Sequence, residues 1–304
     1  METLVGGLVS WIYRLHEPTE IAARVQEAHR RVSESGQFWF RKCTDGDQIV
    51  AAAYFLRLPG RVATLGGVRA IEGAESTAAL QLEELAEEAL GDDVVQCQGV
   101  SSAGDEATKN IVRRSGFKWL TQVAHIYLDL QAHQAEGGDA ENQTRFRPAR
   151  DFSTHRVAKL VADTFVDSRD CPELDGIRSE LDVLDGFLDG TSLRSTDRWE
   201  VAEVSGQPSG VLLVNDAGGG ASELSYFGVP RFARGRGMGR QLLERAILLS
   251  KSRGDSILAA AVDQRNVPAL RTYDHFGFKH HQSLDVWLHQ SHCEGCASAQ
   301  RRNG

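Results

Sequence analysis

Cysteine is scarce and odd in number: five among 304 residues, with only Cys293 and Cys296 close together. Such a count does not make a disulfide framework, so an apolar core has to hold the fold, and a reducing cytoplasm is the expected compartment. Long apolar runs are missing as well. The stretch over residues 4–12 is interrupted by Gly6 and Gly7, lacks a basic flank and a small-residue cleavage site, and is too short to span a bilayer, so it reads as packed or frayed. An excess of positive charge is absent too. The 34 Lys and Arg face 42 Asp and Glu, a formal charge of -8 that opposes general affinity for nucleic acid or anionic membrane. Any basic site has to be local.

What is present is length for two domains and an internal repeat. Gly67-Val68 ends an apolar run and Gly116-Phe117 follows a helical segment; Gly228-Val229 and Gly277-Phe278 do the same 161 residues later. Phe38 aligns with Trp199 at that offset. Residues 131–143 are polar, glycine-containing and aperiodic, the marks of a linker. The expected organisation is therefore a first domain over 1–130, a linker over 131–143, a second domain over 144–290 and a loose tail over 291–304. The copies differ where it matters: Arg234, Gly237, Gly239 and Tyr273 of the second stand opposite Gly73, Ser76, Ala78 and Val112 of the first. If those residues carry chemistry, only the second copy works.

In the second copy, 199–204 and 211–214 read as short strands, and 215–220 as a turn leading into a strand over 223–229. Pro230 then ends the ladder, having no amide hydrogen to donate. A helix is predicted from about Gly239 to Arg253 with Gly254 as its stop, then a buried strand over 257–262 and a last helix over 268–275. The joint before the first of these helices is Arg234-Gly235-Arg236-Gly237-Met238-Gly239-Arg240. Glycines at alternate positions permit positive φ and leave amides uncovered at a helix N-terminus, a geometry that binds phosphate. From Leu224 to Leu243 there are four arginines and no acid, in a chain that is acidic overall. The bland alternative is a glycine-rich loop with solvated arginines. A P-loop fits worse because no lysine follows the glycines, and the dinucleotide fingerprint fits worse because Arg240 stands where its last glycine belongs.

Arg234-x-x-Gly237-x-Gly239 resembles the Q/R-x-x-G-x-G/A motif of the GNAT superfamily of N-acetyltransferases, and Asn266-x-x-Ala269-x-x-x-Tyr273-x-x-x-Gly277-Phe278 resembles its closing segment. Together they span about the last four strands of that fold. A tandem with one degenerate copy also resembles double-domain members of the superfamily. The resemblance implies a mixed α/β (α+β) fold of two GNAT-like lobes, each a twisted, mostly antiparallel sheet flanked by helices. It further implies direct attack of an amine on the thioester of acetyl-CoA, a co-substrate, with no metal. Backbone groups of Phe227 and Val229 would hold the acetyl carbonyl and the pantetheine arm, and the segment 234–240 the pyrophosphate. Tyr273 would be the acid for the leaving thiolate; an unperturbed tyrosine, pKa about 10, is protonated at neutral pH. Glu223, six residues before Val229, is the best-placed base, its alternative being a solvent-facing edge carboxylate. Asn266 starts the last helix, with Pro268 in its first turn, and its contact with coenzyme A follows from the resemblance alone.

The acceptor is expected to be a small-molecule or protein amine, and the acidic stretch 163–189 favours a cationic one if it lines the cleft rather than forming a solvated face. His289, His292, Cys293 and Cys296 are metal-ligand types, but four ligands within eight residues leave no loop through which to converge, and they read as tail. The first copy is expected to be structural or substrate-gating, and a homodimer is left open. From another class, a non-catalytic acyl-CoA-binding sensor would keep the cradle and need neither Tyr273 nor Glu223.

Overall fold

The structure is a computed structural model and describes residues 2–35, 37–91, 93–133, 144–189 and 193–290. In chain order it forms α1 (Glu2–Ile12), α2 (Pro18–Ser35), β1 (Phe38–Asp45), β2 (Gln48–Leu58), β3 (Val62–Ala70), α3 (Glu75–Gly91), β4 (Gln96–Ser102), α4 (Glu106–Arg114), β5 (Lys118–Asp129), β6 (Thr144–Pro148), α5 (Thr154–Phe165) and α6 (Glu180–Leu188). It continues with β7 (Trp199–Val204), β8 (Gln207–Gly218), β9 (Ala221–Gly228), α7 (Met238–Arg253), β10 (Ile257–Asp263), α8 (Val267–His275) and β11 (Lys279–Gln290). The repeat is kept to the residue: β4 and β10, α4 and α8, and β5 and β11 have identical bounds after a shift of 161.

The chain forms two compact units, one of residues up to Trp119 together with those from Trp287, the other Leu120–Val286. These limits depart from the expected division at 130 and 144. The reason is hydrogen bonding: Val123 through Asp129 of β5 pair antiparallel with β10, so the strand that closes the first half of the sequence is laddered into the second unit. Trp287, from the end of the sequence, is buried in the first unit's core and donates from Nε1 to Ser101 Oγ at 2.9 Å. Residues 134–143 of the expected linker, and His292, Cys293 and Cys296 of the tail, lie outside the described residues.

In the first unit β1, β2 and β3 form an antiparallel meander and β3 pairs parallel with β4. The stretch expected to be packed or frayed is the helix α1, because Val5, Leu8, Val9 and Ile12 fall on one face and are buried against Ala28, Ala52 and Tyr54. The glycine pair costs helix propensity, but that buried stripe outweighs it. Gly67 is required by close approach: a Cβ there would stand 2.9 Å from Ile12 Cγ2 and from the Tyr13 hydroxyl. The loop before α3 differs from its later counterpart in sign. The amide of Gly73 donates to Glu75 Oε1 at 3.2 Å, so a carboxylate of the chain itself stands at the start of α3, where an anion would have to approach.

In the second unit the strand order is β11-β5-β10-β9-β8-β7-β6, with β9 and β10 parallel and β8, β7 and β6 antiparallel in turn. One face carries α7 and α8 over a core of Leu224, Leu242, Leu243, Ala246, Leu258 and Ala260. The other carries α5 and α6 over Val157, Val161, Leu184, Trp199 and Leu213. Each fully buried leucine contributes about 2 kcal/mol. Arg245 of α7 grips Glu200 of β7 through Nε and Nη2 at 2.6 and 2.7 Å, which fixes the helix axially on the sheet. Gly228, the counterpart of Gly67, meets α5 in the same way: its Cβ would fall 2.5 Å from Thr164 Oγ1.

Candidate functional site

The site begins where two parallel strands stop pairing. The β9–β10 ladder runs from Ala221 and Ile257 to Leu224 and Ala260. At the next residue, Ser225, β9 carries a bulge against β8, since Leu213 opposes Tyr226 while Val214 opposes Leu224. A bulge bends its strand and breaks its pairing, so the rest of β9 diverges from β10. A half-buried relay holds the bulge. Trp199 Nε1 donates to Asn215 Oδ1 at 2.7 Å, and Asn215 Nδ2 donates to Ser225 Oγ at 3.0 Å. Residues 215–218, expected in the turn, belong to β8; the turn is Gly219-Gly220, both at positive φ.

Between the diverging strands opens a cleft of about 660 Å3, lined by Phe227, Gly228 and Val229 on one side and Ala261 and Val262 on the other. At its mouth lie Gly235, Gly237, Met238, Gly239 and Arg240. Gly235 and Gly237 have φ of +75 and +78°, the left-handed region that L residues enter at a cost. Gly239 does not; it sits in ordinary helix, and a Cβ there would meet only Phe227 Cε2 at 3.8 Å. Gly237 is the N-cap of α7 and offers no side chain to its first amides. These amides and the dipole therefore favour an anion at the cleft mouth.

The four arginines separate into distinct roles. Arg234 was expected to serve pyrophosphate, but its guanidinium is spent on backbone carbonyls: Nε to Val229 at 2.9 Å, Nη1 to Asp167 at 3.0 Å, and Nη2 to Thr164 and Val166 at 2.8 Å each. It satisfies the last turn of α5 and ties it to the residue just after β9, engaging one lone pair of the Val229 carbonyl. Arg231 pairs with Asp167 at 2.8 Å, and Arg240 pairs with Glu244 at 2.9 Å. Arg236 is exposed and has no ion pair among the described residues.

Asn266 caps α8, its Oδ1 accepting from the Ala269 amide at 3.3 Å, and it lines the cleft. Two turns on, Tyr273 is buried and lines the same cleft. Its ring packs edge-on against Phe227 and Phe278, at centroid distances of 6.0 and 5.0 Å. Burial, with the Asp170 charge adding, raises its phenol above the ordinary range and keeps it protonated. Glu223 is not in this cleft. It projects from the other face of β9 into a second cavity, because strand neighbours alternate and Leu224 points toward Tyr273. Burial, and secondarily the Asp189 carboxylate, raises the pKa of Glu223.

Asp170 is a site residue that the sequence reading did not single out. It lines the cleft, accepts from the Asp263 amide at 3.0 Å, and burial raises its pKa. Asp263, at the end of β10, holds that segment in turn. Its carboxylate accepts from the Cys171 amide at 3.0 Å, from Thr121 Oγ1 at 2.7 Å and from Arg265 Nη2 at 2.7 Å. Burial opposes its charge, but these donors hold its pKa below the usual carboxylate range. Asp170, Cys171 and Asp263 thus converge, with Asp263 already engaged by protein donors. Elsewhere in the acidic stretch, Asp163 pairs with Lys159, Glu173 with Arg265, and Asp182 closes the capping box of α6. Only Asp167 and Asp170 of its carboxylates line the cleft.

Parallel strands splayed by a bulge, followed by an uncapped glycine-rich helix start, form a GNAT-like fold. Solved structures share it. A GCN5-related N-acetyltransferase from Sphaerobacter thermophilus is 16% identical with a TM-score of 0.62, over 88% of this chain and 85% of that one. A tandem GNAT protein from the clavulanic acid biosynthesis pathway is 16% identical with a TM-score of 0.53, over 84% and 83%. A fungal GCN5-related glucosamine N-acetyltransferase region, within a multi-domain GH3 beta-N-acetylglucosaminidase, is 14% identical with a TM-score of 0.63, over 95% of this chain and 37% of that one. No curated protein matches in sequence. Residues 163–278, within the second unit, match the model of the acetyltransferase (GNAT) family, and the repeat is consistent with a tandem arrangement. No helix among the described residues is long and apolar enough to cross a membrane.

Proposed function

We propose that the protein transfers an acyl group, most simply acetyl, from acyl-CoA to a primary amine through the cleft of its second unit. The observation that carries this reading is the conjunction in one cleft of an uncapped helix start at Gly237 and a buried, protonated Tyr273. The cleft fits the thioester co-substrate on its own features: an open glycine cradle for a pyrophosphate, in which a Cβ at Gly235 or Gly237 would meet nothing, and an apolar slot between β9 and β10 for a pantetheine arm. When bound, acyl-CoA supplies the activated carbonyl.

The chain's own groups do the rest. The amides of α7 and the side chain of Arg236 attract the phosphates, and Arg234 keeps the cradle rigid. Tyr273 holds a proton where a leaving thiolate needs one, and its raised pKa keeps that proton in place until negative charge develops. Glu223, on the other face of β9, is poised to take a proton from the amine. This division of groups favours an enzyme over a cofactor sensor, which needs the cradle alone. Thiol release from acetyl-CoA, followed with a panel of amines, tests the reading: amine-dependent release from the wild type that Tyr273→Phe loses supports it, and binding without release from any amine points to the sensor.

A further inference from the structure

The cavity that receives Glu223 measures about 490 Å3 and lies on the sheet face opposite α7 and α8. Its form follows from strand register. Ala259 of β10 stands between Glu223 of β9 and Tyr127 of β5, and Ala261 stands beside His125. Strands lie about 4.8 Å apart, so Glu223 and Tyr127 face each other across roughly 10 Å with only a methyl group between them. Two alanines flanked by large residues make a trough. His281, edge-on to the Tyr127 ring at 6.5 Å, extends one wall, and Ile257, 39% exposed, leaves apolar surface uncovered at one end. The other end meets the acyl-CoA cleft, because Ala261 lines both cavities and sits where β10 parts from β9.

On the acyltransferase reading, which this inference deepens, we infer that the trough is the acceptor site and that it takes a primary amine on an apolar body, such as an arylalkylamine. The acceptor's carbon skeleton lies over the alanine floor between Tyr127 and Glu223, and its ammonium group points to the Ala261 end. Glu223 supplies the single carboxylate among the wall groups named. His125 does not oppose the cation, since burial, with His281 adding, lowers its pKa and favours neutral imidazole. In the transfer, the ammonium gives a proton to Glu223 and the nitrogen lone pair forms the C–N bond as the C–S bond breaks. Tyr273 protonates the departing sulfur, and the remaining extra proton on nitrogen restores the phenol. His125 and Tyr127 come from the strand that closes the degenerate half of the sequence, so that half contributes part of the acceptor site.

The test uses the full chain with phenethylamine as the probe. Histidine imidazole NMR signals are followed as phenethylamine is added to CoA-saturated protein, and KM and kcat are measured by thiol release. The expected result is a saturable shift of the His125 signal that Ala259→Leu abolishes. That variant should raise the KM for phenethylamine at least tenfold, with kcat within threefold and acetyl-CoA affinity within twofold of wild type; retained acetyl-CoA binding reports that it is folded. His125→Phe, a second variant, should raise the KM without changing acetyl-CoA affinity. An unmoved His125 signal, an unchanged KM in both variants, or turnover of hydrophilic amines such as spermidine but not phenethylamine overturns the assignment. A wild type that binds no acetyl-CoA overturns the underlying acyltransferase reading instead, and calorimetry separates the two failures.

Discussion

Gly237→Ala tests the cradle with little collateral damage. The glycine has φ of +78°, and a Cβ there would meet no atom within 4 Å, so the substitution adds strain without a clash. Holding an L residue in that region costs about 1–2 kcal/mol. For a body the size of the second unit this is a fall in Tm of roughly 2–8 °C. Gly254, the C-cap of the same helix with φ of +87° and equally open space, supplies the control: Gly254→Ala carries the same strain at the far end. Both variants should lose similar stability. Only Gly237→Ala should weaken acetyl-CoA, because relief of strain turns the first amides of α7 away from the phosphates. Gly237→Glu adds a carboxylate at the positive end of the dipole and should weaken binding by about 1–2 kcal/mol, or 5- to 30-fold. Melting curves and calorimetric titrations decide it. Equal acetyl-CoA affinities in Gly237→Ala and Gly254→Ala, with Gly237→Glu unchanged, would refute the cradle.

Other perturbations read the remaining parts. Tyr273→Phe keeps the ring packed on Phe227 and Phe278 and removes only the hydroxyl; kcat should fall about 10²- to 10⁴-fold, with acetyl-CoA affinity and Tm nearly unchanged, measured by thiol release and calorimetry. Arg234→Lys loses the four-carbonyl clamp, because an ammonium cannot reproduce the planar fork; urea unfolding should register a loss of about 2–3 kcal/mol. Glu223→Gln should abolish the acid limb of the rate profile. The raised pKa of Glu223 means that the folded state holds its proton more tightly than the unfolded chain. Its favourable contribution is therefore present at low pH and lost as pH rises through the raised value. The variant should accordingly be more stable than wild type at pH 7 and no more stable at pH 4, as Tm measurements will report.

Much of this was legible because backbone demands leave marks in sequence. Gly237, Gly254 and Gly277 occupy left-handed positions, Pro230 ends a strand, and Asn266 with Pro268 starts a helix. The 161-residue repeat was visible because paired glycines answer to the same constraints in both copies: Gly67 and Gly228 to helix contact, Gly116 and Gly277 to positive φ. Pairing across the chain was not legible. Nothing in residues 118–129 announces that they ladder with β10, since an apolar strand accepts either neighbour. The role of Arg234 was hidden for a related reason: four arginines look alike in sequence, and only the placement of α5 decides which one meets carbonyl oxygens. Asp170 stood among many acids, and the alternation that turns Glu223 away from Tyr273 depended on a bulge at Ser225 with no residue signature of its own.

The stoichiometry of acetyl-CoA binding tests the central claim most directly. The second unit offers an open, uncapped cradle, while in the first Ser76 and Ala78 replace its glycines and the Glu75 carboxylate stands at the helix start. Titration calorimetry on the full chain should therefore give one site per chain, abolished or weakened at least fivefold by Gly237→Glu; two sites, or none, would contradict the account.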